Sequence, residues 1–220
     1  MTPARRFDLV VFDWDGTLFD STRLIARCIQ SACADVGTAV PSHEQASYVI
    51  SLGLGDALRH AAPELPRERY PELADRYRHH YLASQHDVVI FEGTRAMLEQ
   101  LRAAGHGLGV ATGKTRRGLD AALQSTELDV LFDATRTADE TAGKPDPRML
   151  AELMREIGVT PRRTLMIGDT THDLQLAANA GCDSVAVAFG AHSHHAFAEF
   201  EPLFIAHSTA ELAAWLASNG

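Results

Sequence analysis

The chain has 220 residues, 45% of them hydrophobic and 22% charged, with a formal net charge of −9. This composition is typical of folded globular proteins, and the length allows one domain with a smaller domain inserted into it. The negative charge and the lack of a basic stripe argue against nucleic-acid binding, and no run of 18 apolar residues predicts a membrane span.

The three cysteines, Cys28, Cys33 and Cys182, are odd in number and lack Cys-x-x-Cys spacing. This pattern argues against a disulfide framework and against a zinc site. We therefore expect a reduced, cytoplasmic environment. Arg5 and Arg6 lead straight into the first apolar run, so we expect no separable signal segment. A monomer and a homodimer are both left open.

Short apolar runs that alternate with longer helical patterns predict an α/β fold. The runs rich in Val, Leu and Ile cover residues 9–12, 107–111, 164–167, 184–189 and 203–205, and a weaker run covers 132–135. Such runs indicate buried strands joined by helices. We therefore predict a doubly wound, mostly parallel sheet with helices on both faces.

About ninety residues separate the first run from the second, far more than one connecting helix needs. Helical patterns fill this gap at residues 21–36, 42–50, 55–62 and 67–85. We therefore predict a helical domain at residues 20–90, here called the helical insertion. It interrupts a core domain formed by residues 1–19 and 91–220.

Four loops at predicted strand ends carry polar side chains. They are residues 13–17 (Asp-Trp-Asp-Gly-Thr), 112–114 (Thr-Gly-Lys), 143–146 (Gly-Lys-Pro-Asp) and 168–173 (Gly-Asp-Thr-Thr-His-Asp). Ligands of open parallel sheets bind beyond the carboxyl ends of the strands. We therefore expect these loops to meet in one site.

Asp13 and Asp15 stand two residues apart after the first predicted strand, and Gly16 allows the backbone to turn sharply after them. One carboxylate can attack a phosphorus atom and form an acyl phosphate that water hydrolyses. The other can donate and accept the protons. The alternative is a solvated turn that caps the next helix, but the whole Asp-x-Asp-Gly-Thr sequence favours the catalytic interpretation.

Asp169 and Asp173 share one side of a helix that is predicted to begin near Thr170. Together with Asp13 they would form an oxygen-rich site of the kind that suits Mg²⁺. The alternative is that the two acids only complement the dipole at the helix N-terminus.

Thr112, Gly113 and Lys144 are the candidates for holding a phosphate. Thr112 offers a hydroxyl, Gly113 lets a backbone N–H approach an anion, and the ammonium of Lys144 can offset the carboxylates. A Thr-Gly turn is also common as an ordinary strand-to-helix connection, and Lys144 could be a solvated loop residue. Lys114, at a helix start, fits the solvated interpretation better.

At these four loops the sequence closely resembles the haloacid dehalogenase superfamily, and within it the phosphoglycolate phosphatase-like group. The resemblance implies a Rossmann-like core with a helical cap inserted after the first loop. It implies that Asp13 is the nucleophile and Asp15 the general acid and base. It further implies that Thr112 and Lys144 hold the phosphate, with Lys144 steadying Asp13.

The resemblance also implies a Mg²⁺ site. Its ligands would be the Asp13 side chain, the Asp15 backbone carbonyl and the Asp169 side chain, while Asp173 would act directly or through another ligand. Dehalogenases lack the second aspartate, so Asp15 argues against carbon–halogen cleavage. No lysine precedes Lys114, which removes the Schiff-base lysine of phosphonatases.

The favoured interpretation is a Mg²⁺-dependent phosphatase that hydrolyses a small phosphorylated metabolite resembling 2-phosphoglycolate. A sugar phosphomutase of the beta-phosphoglucomutase type stays open, as does a non-catalytic regulatory protein with the same fold. Substrate selection would fall to the helical insertion, chiefly to residues 48–59, where Gly53 and Gly55 suggest a tight loop able to approach the site. Arg59 or Arg23 could meet a second anionic group. The alternative is that both arginines face solvent.

Histidines near the fourth loop are not predicted to bind metal. His192, His194 and His195 lack acidic neighbours and helical spacing, which favours a polar loop. His172 lies between Asp169 and Asp173, and the helical geometry predicts that it points away from their shared side.

Overall fold

The computed structural model describes residues 6–84 and 89–220. Within them, six strands form one parallel sheet in the order β3-β2-β1-β4-β5-β6. The strands are β1 (Leu9–Phe12), β2 (Gly107–Thr112), β3 (Ala134–Thr137), β4 (Thr164–Gly168), β5 (Asp183–Val187) and β6 (Ile205–Ala206). This order places β1 between β2 and β4, so the loops that follow these three strands are neighbours.

The helical insertion lies between β1 and β2. Its helices are α1 (Thr22–Asp35), α2 (His43–Tyr48), α3 (Leu54–Ala61) and α4 (Tyr70–Ser84). In α1, Ile25, Ile29 and Ala32 recur at helical spacing and are buried in an apolar cluster formed mainly by these helices. This separate cluster agrees with the predicted domain boundaries, which stay a prediction. The predicted helix 67–85 ends at Gln85, outside the described residues.

Helices cover both faces of the sheet. They are α5 (Thr94–Ala103), α6 (Arg116–Thr126), α7 (Arg148–Ile157), α8 (Thr171–Ala180) and α9 (Thr209–Asn219). Val10 of β1 lies in a cluster with side chains of α5, α6 and α9, whereas Val11 lies in a cluster with side chains of α7 and α8. Successive strand residues point to opposite faces, so the predicted doubly wound fold is confirmed. Within the described ranges, no helix combines the length and apolar character of a membrane span.

Some predicted element ends are wrong by a few residues. The strand predicted at 184–189 ends at Val187, and Phe189 instead packs edge-on against Phe91, with ring centroids 4.9 Å apart. The strand predicted at 132–135 begins two residues later, because the Leu108 backbone N–H bonds to the side chain of Asp133 rather than to a backbone carbonyl.

Candidate active site

The four polar loops meet at the carboxyl edge of the sheet, as predicted. Asp13 follows β1, and its backbone N–H donates to the carbonyl of Ile167 in β4 (2.9 Å). Asp169 follows β4, and Thr112 ends β2. Lys144 comes from the loop between β3 and α7, and its side chain is fully buried.

Lys144 joins two of the predicted acidic residues. Its Nζ atom lies 2.8 Å from Asp13 Oδ1 and 2.6 Å from Asp173 Oδ1, and all three side chains are fully buried. A buried charge is tolerated when it is paired and hydrogen-bonded. Lys144 is therefore no solvated loop residue, and it fixes the position of the Asp13 carboxylate.

Ser51 is a residue of this site that the sequence did not reveal. Its hydroxyl donates to Asp13 Oδ2 (2.5 Å) and accepts from Lys144 Nζ (2.9 Å), although it belongs to the turn between α2 and α3 of the helical insertion. Its φ angle of 79° lies in the left-handed region, which residues other than glycine rarely adopt. The sequence favoured an approach of residues 48–59 to the site, but it did not single out Ser51, because a serine in a turn is a common signal.

Thr112 and Gly113 lie where the insertion meets the core. Thr112 is buried, and its Oγ1 accepts from the backbone N–H of Lys114 (3.3 Å). A Cβ atom at position 113 would overlap the backbone oxygens of Ser51 and Leu52. Glycine at this position therefore lets the insertion approach the end of β2. The phosphate-binding roles of Thr112 and Gly113 stay predictions.

Asp169 is held by the loops on either side of it. Its Oδ1 accepts from the Thr17 hydroxyl (3.1 Å), and its Oδ2 accepts from the backbone N–H of Ala191 (2.7 Å). A Cβ atom at Gly16 or Gly190 would overlap the Asp169 carboxylate. The two glycines therefore leave the space that this side chain occupies.

The two carboxylate oxygens of Asp173 contact different residues. Oδ2 accepts from the backbone N–H (3.1 Å) and the hydroxyl (2.7 Å) of Thr170, which forms a capping box at the start of α8. Oδ1 faces Lys144. Asp173 therefore caps α8 and also contacts Lys144, while its role as a metal ligand stays a prediction.

When they are ionised, the three buried carboxylates carry more negative charge than Lys144 offsets. Burial raises the pKa of Asp13 to about 6, even though Lys144 acts in the opposite direction. Burial, with the neighbouring charges of Asp13 and Asp173, raises the pKa of Asp169 well above its ordinary value. Burial alone would lower the pKa of Lys144, but its two carboxylate partners outweigh burial and raise it. The site therefore favours an additional positive charge.

This acidic group fits a divalent cation. Asp13, Asp169 and Asp173 each offer a carboxylate oxygen, and the three oxygens lie within 4.8 Å of one another. Asp13 Oδ1 is close to Lys144 but has no aligned hydrogen-bond donor among the residues that the structure describes. Hard oxygen donors and an incompletely satisfied carboxylate suit Mg²⁺. The donor set therefore agrees with three of the four predicted ligands.

Asp15 is not part of the acidic group formed by Asp13, Asp169 and Asp173, and its side chain contacts other residues. Its Oδ1 accepts from the Ser21 hydroxyl (2.6 Å) and lies 3.0 Å from Lys114 Nζ. The prediction that Lys114 is solvated is wrong, because its side chain is only 10% exposed and its Nζ also donates to the Tyr81 hydroxyl (3.1 Å). Burial alone would lower the pKa of Lys114, but the Asp15 charge raises it. Lys114 therefore stays charged and holds the candidate acid.

A cavity of about 510 Å³ opens beside Asp15 and Ser51. Helices α1 and α4 and the segment from Val49 to Ala57 form most of its wall, and the start of α6 forms the other side. Most of its side chains are aliphatic or aromatic, including Ile29, Leu54 and Tyr77. The cavity therefore combines an apolar wall from the insertion with polar groups of the core.

Arg59 and Arg23 do not line this cavity. Both residues are exposed, and Arg59 forms an ion pair with Asp56 on the same helix. Their placement agrees with the alternative interpretation, in which both side chains face solvent. Selection of the substrate by either arginine stays a prediction that rests on the sequence alone.

His172 and His192 connect the core to the insertion. The Nε2 atoms of both rings lie within hydrogen-bonding distance of the Tyr48 carbonyl, at 2.9 and 3.0 Å. The Tyr48 ring stacks on that of His192, with centroids 5.1 Å apart. The contact of His172 agrees with the prediction that its ring points away from Asp169 and Asp173. His192 lies in a loop, as predicted, but it is buried.

Comparisons with known proteins agree with this geometry. The family model for haloacid dehalogenase-like hydrolases matches residues 10–187. A phosphoglycolate phosphatase from Aliivibrio fischeri is 30% identical over 203 residues, 88% of this chain and 89% of that protein. The pyrophosphatase PpaX of Bacillus cereus is 27% identical over 210 residues, 94% of this chain and 95% of that protein.

The fold gives the same result as the sequence comparisons. The crystal structure of a predicted phosphoglycolate phosphatase from Haemophilus somnus superposes with a TM-score of 0.83 at 26% identity. The match covers 95% of this chain and 97% of that chain. The family model and the order of the four loops both confirm the predicted resemblance. The chain therefore belongs to the haloacid dehalogenase-like hydrolase family.

Proposed function

We propose that this chain is a Mg²⁺-dependent phosphatase that hydrolyses a small phosphate ester through a phosphorylated Asp13. The observation that carries the proposal is the buried Asp13 carboxylate at the end of β1, which Lys144 contacts at 2.8 Å. Two further buried carboxylates lie beside it. Relatives named phosphoglycolate phosphatase and pyrophosphatase support phosphoryl chemistry.

In the first step, an Asp13 oxygen attacks the phosphorus and forms a new oxygen–phosphorus bond. The bond between phosphorus and the ester oxygen breaks, and the leaving oxygen takes a proton from the Asp15 carboxyl group. Ser21 and Lys114 fix the Asp15 side chain at the edge of the cavity, and both contact Oδ1, so Oδ2 would carry the proton that is transferred.

In the second step, water attacks the phosphorus of the acyl phosphate. The bond between phosphorus and Asp13 breaks, one proton of the water passes to Asp15, and inorganic phosphate leaves. Asp13 returns to its carboxylate form and Asp15 to its protonated form. The cycle consumes one ester and one water and needs no other reactant.

Positive charge lowers the cost of bringing an anionic phosphate to these carboxylates. Lys144 supplies one fixed charge and orients Asp13. Asp13, Asp169 and Asp173 would hold Mg²⁺, which supplies further positive charge to the transferring phosphoryl group. Thr112 and Gly113 are the predicted partners of the phosphate oxygens.

Ser51 occupies the position next to the nucleophile. A phosphoryl group within reach of Asp13 Oδ2 would have to displace the Ser51 hydroxyl, which lies 2.5 Å from that oxygen. The Ser51 hydroxyl would therefore move away when substrate binds and return when phosphate leaves. A shift of the turn between α2 and α3 would achieve this, and the insertion would then open and close the site in each cycle.

The test of the proposal is phosphate release from para-nitrophenyl phosphate with Mg²⁺, measured with and without EDTA. We expect turnover that EDTA abolishes and added Mg²⁺ restores. Lack of metal-dependent turnover on this ester and on a panel of phosphorylated metabolites would overturn the proposal and favour a non-catalytic protein. Incubation with hexose 1-phosphate distinguishes a phosphatase from the remaining alternative, a sugar phosphomutase. A mutase yields an isomer, whereas a phosphatase yields free phosphate.

The resemblance of the sequence to the phosphoglycolate phosphatase-like group makes 2-phosphoglycolate the first metabolite to test. The name of the Aliivibrio fischeri relative supports that choice, and the name of the Bacillus cereus relative adds pyrophosphate. A reduced cytoplasm, and a monomer or homodimer, also stay part of the proposal. Size-exclusion chromatography with light scattering would decide between the two assembly states.

A further inference from the structure

The cavity beside the candidate active site lies where the leaving group of the proposed reaction would be. Asp15, which would protonate the leaving oxygen, is one of its lining residues, and so is Ser51, which bonds to the nucleophile. A group that fills the cavity would therefore be attached to the ester oxygen. The cavity thus selects the alcohol part of the substrate, an inference that rests on the proposed function.

The wall contributed by the insertion is apolar. Ile29 and Ala57 are buried aliphatic residues, and Leu54, Tyr77 and Tyr81 add further hydrophobic surface. The volume of about 510 Å³ lies within the range of about 300–1,000 Å³ found for sites of drug-sized organic ligands. A two-carbon alcohol would leave most of this space without contacts.

Cations along the cavity are poorly placed for a small anionic substrate. Lys114 is already paired with Asp15, and Arg78 is paired with Asp75 at 2.7 Å and has a half-exposed side chain. Arg117, which also lines the cavity, is exposed. A substrate carboxylate would therefore meet no buried, unpaired cation among the described residues that line the cavity, and the apolar wall disfavours a charged group.

We propose that the substrate is a phosphate monoester of a bulky, largely apolar alcohol, aromatic or branched, whose organic group lies in this cavity against Leu54 and Tyr77. The phosphate lies next to Asp13 Oδ2 and Lys144, at the place of the Ser51 hydroxyl, and the ester oxygen lies next to Asp15. On this inference, small, highly polar esters such as 2-phosphoglycolate and glycerol phosphate, and pyrophosphate, are poorer substrates than bulky esters, which sets this chain apart from the relatives named for 2-phosphoglycolate and pyrophosphate.

The test compares esters with similar leaving groups. 2-Phenylethyl phosphate and ethyl phosphate both release a primary alcohol, so their difference reports mainly the fit of the phenyl group. We expect kcat/KM for 2-phenylethyl phosphate to exceed that for ethyl phosphate and for 2-phosphoglycolate by about 10-fold or more, since a single methylene group in an apolar pocket can give such a factor. Equal values, or a preference for 2-phosphoglycolate, would overturn the inference.

Substitutions in the cavity wall test where the phenyl group lies. Leu54→Asn, which adds a polar group to the wall, is expected to reduce the preference for 2-phenylethyl over ethyl phosphate by about 5-fold or more. Leu203→Asn is the matched control, because Leu203 is also a partly exposed leucine but does not line the cavity. An unchanged preference in Leu54→Asn would overturn the placement of the organic group.

The failure of this inference can be told from the failure of the proposed function. Acetyl phosphate is small and reactive, so metal-dependent turnover of acetyl phosphate without a preference for bulky esters contradicts only the inference. Calorimetric binding of 3-phenylpropylphosphonate to the Asp13→Asn protein needs no turnover. Binding at least about 10-fold tighter than that of propylphosphonate supports the cavity assignment, and equal binding contradicts it.

Discussion

The two sides of the candidate active site differ in chemistry and in origin. The core contributes Asp13, Lys144, Asp169 and Asp173, which are ionisable and buried. The helical insertion contributes mainly aliphatic and aromatic side chains, with Ser51 as the polar group that touches the nucleophile. The core side is thus suited to phosphoryl transfer, and the insertion side is suited to recognising an organic group.

This division predicts that substrate preference can change without loss of the reaction. The charged groups follow strand ends, whose positions the sheet fixes. The apolar groups lie on helices of a separate cluster, where changes of size and shape leave the sheet intact. If the division is correct, substitutions on the core side affect every substrate alike, whereas substitutions on the insertion side change the order of preference.

The largest loss of activity is expected from Asp13→Asn. A neutral amide cannot attack phosphorus, so we expect a loss of roughly 10⁴-fold or more in kcat, as for other enzymes without their nucleophile. Phosphate release measures the rate, and chemical denaturation verifies the fold. A rate within about 10-fold of the wild type would show that another group attacks.

The second-largest loss of activity is expected when a proposed metal ligand is removed. Asp169→Asn weakens the donor set, and we expect roughly 10³-fold slower turnover, because bound metal contributes several kcal/mol to charge stabilisation. Thermal melting gives a second readout: Mg²⁺ should raise the melting temperature of the wild type but not of Asp169→Asn. An equal rise in both proteins would place the metal elsewhere.

Lys144→Met is expected to slow every ester by roughly 10²–10³-fold, the range seen when one charge-stabilising donor is removed. It also leaves the carboxylates without their buried ammonium, which should cost about 3–5 kcal/mol in the free energy of unfolding. Kinetics on two esters of different size and urea denaturation measure both effects. A substrate-dependent loss would contradict the assignment of Lys144 to the core side.

Lys114 lies at the boundary between the core side and the insertion side of the site. Lys114→Met is expected to reduce activity less than the substitutions above. Asp15 loses a partner but keeps Ser21, so we expect a loss of roughly 10–100-fold, below the upper end of about 10⁴-fold for a lost general acid. Kinetics on one ester measure this loss, and an unchanged rate would make Lys114 a purely structural residue.

The smallest effect is expected from Ser51→Ala. The hydroxyl competes with phosphate for Asp13 and Lys144 in the free protein, so its removal should lower KM by less than about 10-fold and leave kcat nearly unchanged. Steady-state kinetics on one ester provide the measurement. A rise in KM would mean that Ser51 contacts the substrate instead of making way for it.

Much of the core side could be predicted from the sequence. Apolar runs followed directly by Asp13, Thr112 and Asp169 indicate strand ends, and parallel strands bring their carboxyl ends to one edge. Lys144 stands in a polar loop of the same kind, and Asp173 lies in the first turn of α8, directly after such a loop. These predictions depend only on which residues follow an apolar run in the sequence, and in the structure the same residues follow strands.

The contacts between the two sides could not be predicted in the same way. Lys114 looked solvated because its partner Tyr81 lies 33 residues away, on a helix whose position depends on tertiary packing. Ser51 reaches Asp13 across 38 residues through a turn with an unusual φ angle. Periodicity reports which face of a helix is buried, but it does not report which loop that face meets.

The most direct test of the central claim is chemical trapping of a phosphorylated Asp13. Protein quenched during turnover of para-nitrophenyl phosphate is treated with borohydride, which reduces an acyl phosphate to an alcohol, and the peptide containing residue 13 is analysed by mass spectrometry. We expect homoserine at position 13, and an unmodified peptide from Asp13→Asn. Modification of a different carboxylate, or none at position 13 in a sample trapped while the acyl phosphate is the main enzyme form, would contradict the account.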